Sequence, residues 1–269
     1  MRKLSILILL FSLSILGKAQ NELSKKQIEE KTDSILIEGN LLYKYERAAW
    51  ISFDLAMEEE SIKLDYGGYI TYQDGDSIKT TILDKENKFC IFELTFIKDF
   101  NKPTNENLTR RKLTENEEKL LYIKNKIIDE IIEKKYEVGC PEGYSLNKIL
   151  IPNNKGYKLY IITGTSQSQI IPFGNDYLFY ADENGNITSW KKFHSRLIST
   201  QTVGPSGEEV RGLTHSHLRA EPFISATDIC TFKLYGVLYN IDEFSVYSPE
   251  LSIYFIYNSK KDTIKIEDK

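Results

Sequence analysis

The sequence predicts an α+β protein in which a mixed, mostly antiparallel sheet is flanked by a few helices. Tyrosine (17) and phenylalanine (13) are abundant and methionine (2) is scarce, which favours half-buried pleated surfaces. The hydrophobic pattern changes several times between the helical period of 3.6 and the strand period of 2. With 269 residues, 41% of them hydrophobic and 28% charged, the chain is long enough to bury a sizeable core.

The first 19 residues are predicted to be a signal peptide and not part of the fold. Arg2 and Lys3 precede an apolar run over 4–16, and small residues follow at 17–19, as in secretory signals. The run is shorter than the about 20 residues that span a bilayer. We therefore expect an exported protein, periplasmic or extracellular, that begins at Gln20 and has no membrane span after cleavage. The net charge of -4 gives no footprint for nucleic acid, so no nucleic-acid partner is expected.

Residues 20–138 are expected to form an N-terminal α+β region. Residues 20–38 are polar and charge-rich, a short helix or a loose leader. Helical periodicity over 39–59 places Leu42, Glu46, Trp50 and Asp54 on one stripe. That stripe lies either at the edge of the buried face, with its acids reaching water, or inward with the acids. Next come a hairpin around a D-G turn (66–84), a strand within 87–100, a polar loop (101–114) and an amphipathic helix (115–137).

Residues 139–269 are expected to carry the metal-site domain after a weak boundary near 138. Strands are predicted within 148–152, 157–165, 175–199, 212–218 and 243–258, with a helix over 227–240 and a polar tail that is an edge strand or frayed. Whether the two regions are separate domains or one continuous sheet stays open. Cys90 and Cys230 lie in apolar runs and are expected to be buried thiols, and three cysteines including Cys140 allow at most one internal disulfide.

The stretch RGLTHSHLRAEPFISATDI (211–229) carries the candidate chemistry. In a strand His215 and His217 face the same way, about 6.5–7 Å apart. Asp228 falls in the first turn of a helix capped by Ser225, so two imidazoles and a carboxylate can converge on a zinc ion whose fourth position stays open for water. The alternative is a capping box in which Ser225 and Asp228 only start the helix. His194 is expected at the surface or behind the ligands.

The spacing H-x-H-x7-S-x2-D resembles the JAMM/MPN-plus (JAB-like) zinc metalloprotease signature. The resemblance covers roughly residues 157–257, and its specific part is 215–228. It implies that His215, His217 and Asp228 hold Zn2+ and that Ser225 stabilises the tetrahedral intermediate. The wider chain also resembles uncharacterised exported proteins of Gram-negative bacteria with HSHL…ITATDICT-like segments, a likeness that implies no activity.

Two positions depart from the family pattern. Leu218 stands where the family usually has proline. The family also takes a general base from a glutamate on an earlier segment, typically in an E-x-x-G-L context, and this chain has no clear match. Asp65 in LDYGGYI, Glu137 in YEVGC and Glu46 on the acidic stripe are the candidates, with Glu46 the one we assign to catalysis beside Ser225.

Two functions follow from this reading. The first is an exported zinc-dependent hydrolase of JAMM type that cleaves a peptide or isopeptide bond in a protein or peptide substrate. The second is a non-catalytic JAB-like binding module for a protein partner, with a vestigial or structural metal site. A carboxylate close to the His-His-Asp cluster would favour the first function.

Overall fold

The computed structural model describes residues 23–204 and 206–269, and the predicted signal peptide over 1–19 lies outside them. The described residues form four α-helices: α1 (Lys25–Glu58), α2 (Glu60–Asp65), α3 (Glu115–Glu133) and α4 (Ala226–Tyr235), the last continued by a 3-10 turn (Gly236–Tyr239). None of these helices has the length and apolar character needed to cross a membrane.

Fifteen strands accompany these helices in the described part of the chain. They are β1 (Tyr66–Asp74), β2 (Ser77–Asp84), β3 (Phe89–Phe96), β4 (Asn105–Asn107), β5 (Arg111–Lys112), β6 (Ser145–Asn153), β7 (Gly156–Gly164), β8 (Ile170–Gly174), β9 (Tyr177–Ala181), β10 (Ile187–Lys192), β11 (Leu197–Gln201), β12 (Leu213–Ser216), β13 (Glu243–Ser248), β14 (Ile253–Asn258) and β15 (Thr263–Asp268).

The strands build three sheets and a two-stranded ribbon. One sheet has the order β1-β2-β3-β4 with β5 also on β3, the second β10-β9-β7-β6, and the third β12-β13-β14-β15, while β11 pairs with β8. Of the pairs between named strands, only β12 with β13 is parallel. The predicted α+β class with mixed, mostly antiparallel pairing is therefore confirmed, and the tail forms the edge strand β15.

Helix α1 begins earlier than the sequence periodicity predicted. Ser24 caps its N-terminus, and Ser24 and Gln27 satisfy each other's backbone N–H groups in a capping box. Residues 25–38 therefore belong to the same helix as 39–58. On the acidic stripe Glu46 is buried, whereas Asp54 is exposed.

Helix α4 lies at the centre of the molecule and is buried on nearly every side. It packs on α1 at Gly39, where a Cβ atom would lie 2.8 Å from the Cβ of Ile229. On the other side Phe232 packs on Phe244 of β13, with ring centroids 4.6 Å apart. This placement brings the N-terminus of α4, with Asp228, into the interior.

Both main apolar clusters contain residues from before and after position 138. The larger includes Leu42 and Phe92 together with Phe232 and Phe255. The smaller joins Ile127 and other α3 residues to the second sheet. The two regions defined from the sequence thus share their cores.

The polar loop over 101–114 differs from its prediction. It contains β4 and β5, and its basic cluster at 110–112 is not simply solvated: Arg110 pairs with Asp65 and Asp84, each at an N–O distance of 2.7–2.8 Å. Arg111 pairs with Glu93 and with fully buried Glu117. Cys90 and Cys230 are buried as expected, and all three cysteines are free thiols.

Candidate metal centre

Strand β12 presents two histidines on one side. It pairs with β13 in parallel, and the backbone N–H of His217 continues the ladder by donating to the carbonyl of Tyr247 at 3.0 Å. Thr214 and Ser216 are exposed, while the His217 residue is 4% exposed and the His215 side chain 6%. The predicted same-face arrangement of His215 and His217 follows from this alternation.

The first turn of α4 supplies the carboxylate. Ser225 is the N-cap residue: its Oγ accepts from the Asp228 N–H at 3.0 Å, and the Ser225 N–H donates to Asp228 Oδ2 at 2.9 Å. The Ser225 hydroxyl also donates to the same Oδ2 at 2.7 Å. The capping box predicted as an alternative is therefore present, and it orients the Asp228 carboxylate towards the histidines.

A third histidine joins the cluster, against the sequence prediction. His194 follows β10 in the turn before β11 and is 2% exposed, so the expectation that it lies at the surface or behind the ligands is wrong. Its Nδ1 donates to Asp176 Oδ1 at 2.8 Å, and the other oxygen of Asp176 accepts from Thr227 Oγ1. This carboxylate fixes the ring so that Nε2 faces the cluster.

Four side chains bring one donor atom each to a common point. These atoms of His194, His215, His217 and Asp228 all lie within 4.8 Å of one another. The Nε2 of His217 is 2.9 Å from that of His194 and 3.3 Å from that of His215, and Asp228 Oδ1 is 3.3 Å from both of the latter. A tetrahedral ion with bonds of about 2.0–2.1 Å keeps its ligands about 3.3 Å apart. The buried group can hold a metal ion.

The tautomers that the surroundings impose also require a cation. His194 Nδ1 faces a carboxylate, and His217 Nδ1 lies 3.3 Å from the carbonyl oxygen of Glu221. Both Nδ1 atoms therefore carry hydrogen, and in neutral rings both Nε2 atoms turn a lone pair to each other. Asp228 Oδ1, fully buried, accepts no hydrogen bond from any residue that the structure describes. A proton or a metal ion between these atoms removes the repulsion.

The pKa values follow the same crowding. Burial alone would lower the pKa of His194, but the carboxylates of Asp176 and Asp228 raise it well above its usual range. Burial lowers the pKa of His215, an effect that Asp228 only partly offsets. Burial would raise the pKa of Asp228, yet the three imidazoles hold it well below its usual range. The cluster thus favours an ionised carboxylate beside positive charge.

The three carboxylates considered as general base lie elsewhere. Glu46 accepts from Asn147 Nδ2 at 2.5 Å and lines a cavity with Lys124, to which none of the four clustered residues contributes. Asp65 pairs with Arg110, and Glu137 is exposed after α3. Among the described residues, the carboxylate in contact with the cluster besides Asp228 is Asp176, through His194.

The chain matches no protein-family model, no curated protein and no solved structure. Interpretation of the metal centre therefore depends on its own geometry.

Proposed function

We propose that this protein is a metal-binding, non-catalytic module in which a zinc ion is held by His194, His215, His217 and Asp228. One observation carries the proposal: three imidazole Nε2 atoms and a carboxylate converge in the interior. Four protein ligands are typical of structural zinc sites, whereas catalytic sites keep a position open. A JAB-like core, as the signature implies, is the fold proposed for the C-terminal half.

Zinc is the ion that this donor set suits best. Imidazole suits zinc, copper, iron and nickel, while calcium and magnesium take oxygen donors. Four donors at near-tetrahedral separations favour zinc over the square-planar preference of Cu(II) and Ni(II). Asp176 behind His194 and the Glu221 carbonyl behind His217 are the supporting hydrogen bonds that a zinc-bound histidine commonly makes.

Two contacts argue against hydrolysis at this centre. The Ser225 hydroxyl, 3% exposed, is engaged by the Asp228 N–H, by Asp228 Oδ2 and by Thr227 Oγ1 at 2.8 Å. It has no remaining direction in which to donate to a developing oxyanion. Glu46, the candidate base, lines a different cavity.

A JAMM-type hydrolase of a peptide or isopeptide bond is the second candidate. It is favoured by the H-x-H-x7-S-x2-D spacing and by the Asp176–His194 pair, a histidine oriented by a carboxylate as in general bases. In that function His194 would leave the metal to three ligands and take a proton from water.

Cobalt substitution and His194→Ala separate these functions. In the closed site we expect one zinc per chain, a tetrahedral cobalt spectrum that added thiocyanate leaves unchanged, and a loss of zinc affinity in His194→Ala comparable to that in His217→Ala. The His194→Ala cobalt spectrum should then respond to thiocyanate, because a position has been opened. If native cobalt protein responds and His194→Ala keeps its affinity, the closed site is refuted and the hydrolase is favoured. Absence of zinc from metal-supplemented protein would refute both.

A further inference from the structure

A second group of buried polar residues lies apart from the metal centre, between α1, α3, β1 and β6. Glu46 of α1 forms its floor and is 4% exposed. Its Oε1 accepts from Asn147, but its Oε2 accepts no hydrogen bond from the residues that the structure describes. Leaving a buried polar atom without a partner costs about 1–3 kcal/mol, and such atoms call for an explanation.

Two lysines stand over this carboxylate without a carboxylate partner of their own. Lys124 Nζ lies 3.4 Å from the carbonyl of Tyr69, and Lys148 Nζ lies 3.3 Å from that of Leu146. Within residues 23–204 and 206–269 neither forms an ion pair within 4.0 Å. Two ammonium groups therefore face one carboxylate, which leaves one positive charge in excess when all three are ionised.

The ionisation of these groups reflects their burial. Burial raises the pKa of Glu46 to about 7, with Lys124 and Asn147 opposing it. Burial lowers the pKa of Lys124 to about 8, helped by repulsion from Lys148 and opposed by Glu46. The other titratable groups near Glu46 are Tyr69, Cys230 and Tyr235. Perturbed groups that converge on a cleft are typical of binding sites.

The group opens to the surface through a cleft of about 330 Å³. A cavity of about 10 Å³ above Glu46 shares Tyr69, Lys124 and Lys148 with this cleft, so the carboxylate lies at its inner end. The volume is at the lower end of the range for small-molecule sites, about 300–1,000 Å³.

The outer wall offers groups that match hydroxyls. Three asparagines line it, Asn87, Asn125 and Asn147, and each amide both donates and accepts hydrogen bonds. The side chains of Tyr66 and Tyr69 supply aromatic surface beside them.

We propose that this cleft binds a small hydroxylated carboxylic acid of the size of a uronic acid. Its carboxylate lies between Lys124 and Lys148, and its hydroxyl groups bind the asparagine amides and the free oxygen of Glu46. A singly charged carboxylate neutralises the excess positive charge, whereas a phosphate dianion would leave a negative charge beside Glu46. No metal ligand lines the cleft in the described chain, so this site is independent of the zinc proposal.

Calorimetric titration of the metal-loaded protein with glucuronate, glucose and inorganic phosphate tests the proposal. We expect saturable glucuronate binding with Kd of about 1 mM or lower, and binding of glucose and of phosphate weaker by at least about tenfold. Lys148→Gln should weaken glucuronate binding at least about tenfold, while Lys119→Gln, an exposed lysine on α3, should leave it unchanged.

Thermal unfolding and metal content are measured on the same samples, so failure of this site is distinguished from failure of the metal centre. If Lys148→Gln does not fold, Asn125→Ala, at an exposed position on the cleft rim, replaces it and is expected to weaken glucuronate binding. Absence of saturable glucuronate binding, equal binding of glucose, tighter binding of phosphate, or unchanged binding in the substituted cleft would each overturn the proposal.

Discussion

Asp176→Asn is the sharpest test of the metal centre, because it removes a charge and keeps the shape. Asp176 accepts from His194 Nδ1 at 2.8 Å and from Thr227 Oγ1. The amide oxygen of asparagine can still accept from His194, while its NH2 group donates to Thr227. Thr227 can then turn its proton to Ser225 Oγ, 2.8 Å away. The hydrogen-bond count is therefore conserved.

The loss of charge makes His194 a weaker donor to the metal. Groups behind zinc-bound histidines contribute about 10–100-fold in affinity, which corresponds to about 1.4–2.7 kcal/mol. Competition against a chromophoric zinc chelator measures the change, with Asp129→Asn, exposed on α3, as the reference that should stay native. An affinity within about threefold of native in a folded Asp176→Asn protein would refute the view that His194 is a ligand supported by this carboxylate.

Three further substitutions test other parts of the argument. Ser225→Ala removes the α4 cap and a bond to Asp228, and should cost about 1 kcal/mol of unfolding free energy and weaken zinc binding. Glu46→Gln should stabilise the protein by about 3 kcal/mol above pH 7, since burial raises the pKa of Glu46 to about 7. The gain should fade as the pH falls towards about 4.5, where the unfolded chain also holds the proton. Arg111→Ala leaves buried Glu117 without its ion pair and should cost about 3 kcal/mol.

Urea unfolding across the pH range checks these values. The pKa of Glu117 is lowered to about 2, because Arg111 and hydrogen bonds outweigh the effect of burial. Its contribution to native stability is therefore present above about 4.5 and lost as the pH falls towards 2. Glu58→Gln, exposed on α1, and Arg219→Ala, in an exposed ion pair, are matched controls that should change stability by less than about 1 kcal/mol. A pH-independent effect of Glu46→Gln would contradict the assigned pKa.

Local patterns predicted the parts of the fold and site that local rules govern. The D-G hairpin, the alternation that places His215 and His217 on one face, and the helix start at Ser225 each depend on a few neighbouring residues. The start of α1 was also readable, since Ser24 and Gln27 have capping-box spacing. Strand β8 was missed.

Contacts between distant segments could not be read in this way. His194 lies in a turn, 21 residues before His215, and no periodicity relates a turn to a strand of another sheet. Its only signal was that it is the third of three histidines. The burial of Glu46 depends on Asn147 and Lys124, which other elements bring to it, and a glutamate on a helix is ordinarily exposed.

An ion held by His194, His215, His217 and Asp228 would act on the unfolded chain as a cross-link. It closes a loop of 21 residues between the first two histidines and one of 11 residues before Asp228, and closed loops of this size lower chain entropy by about 3 kcal/mol each. Doubling the length of a flexible loop adds only about 0.6 kcal/mol to the cost of its closure. The connection between β11 and β12 can therefore lengthen or shorten at little cost while both of its ends remain tethered to the same ion.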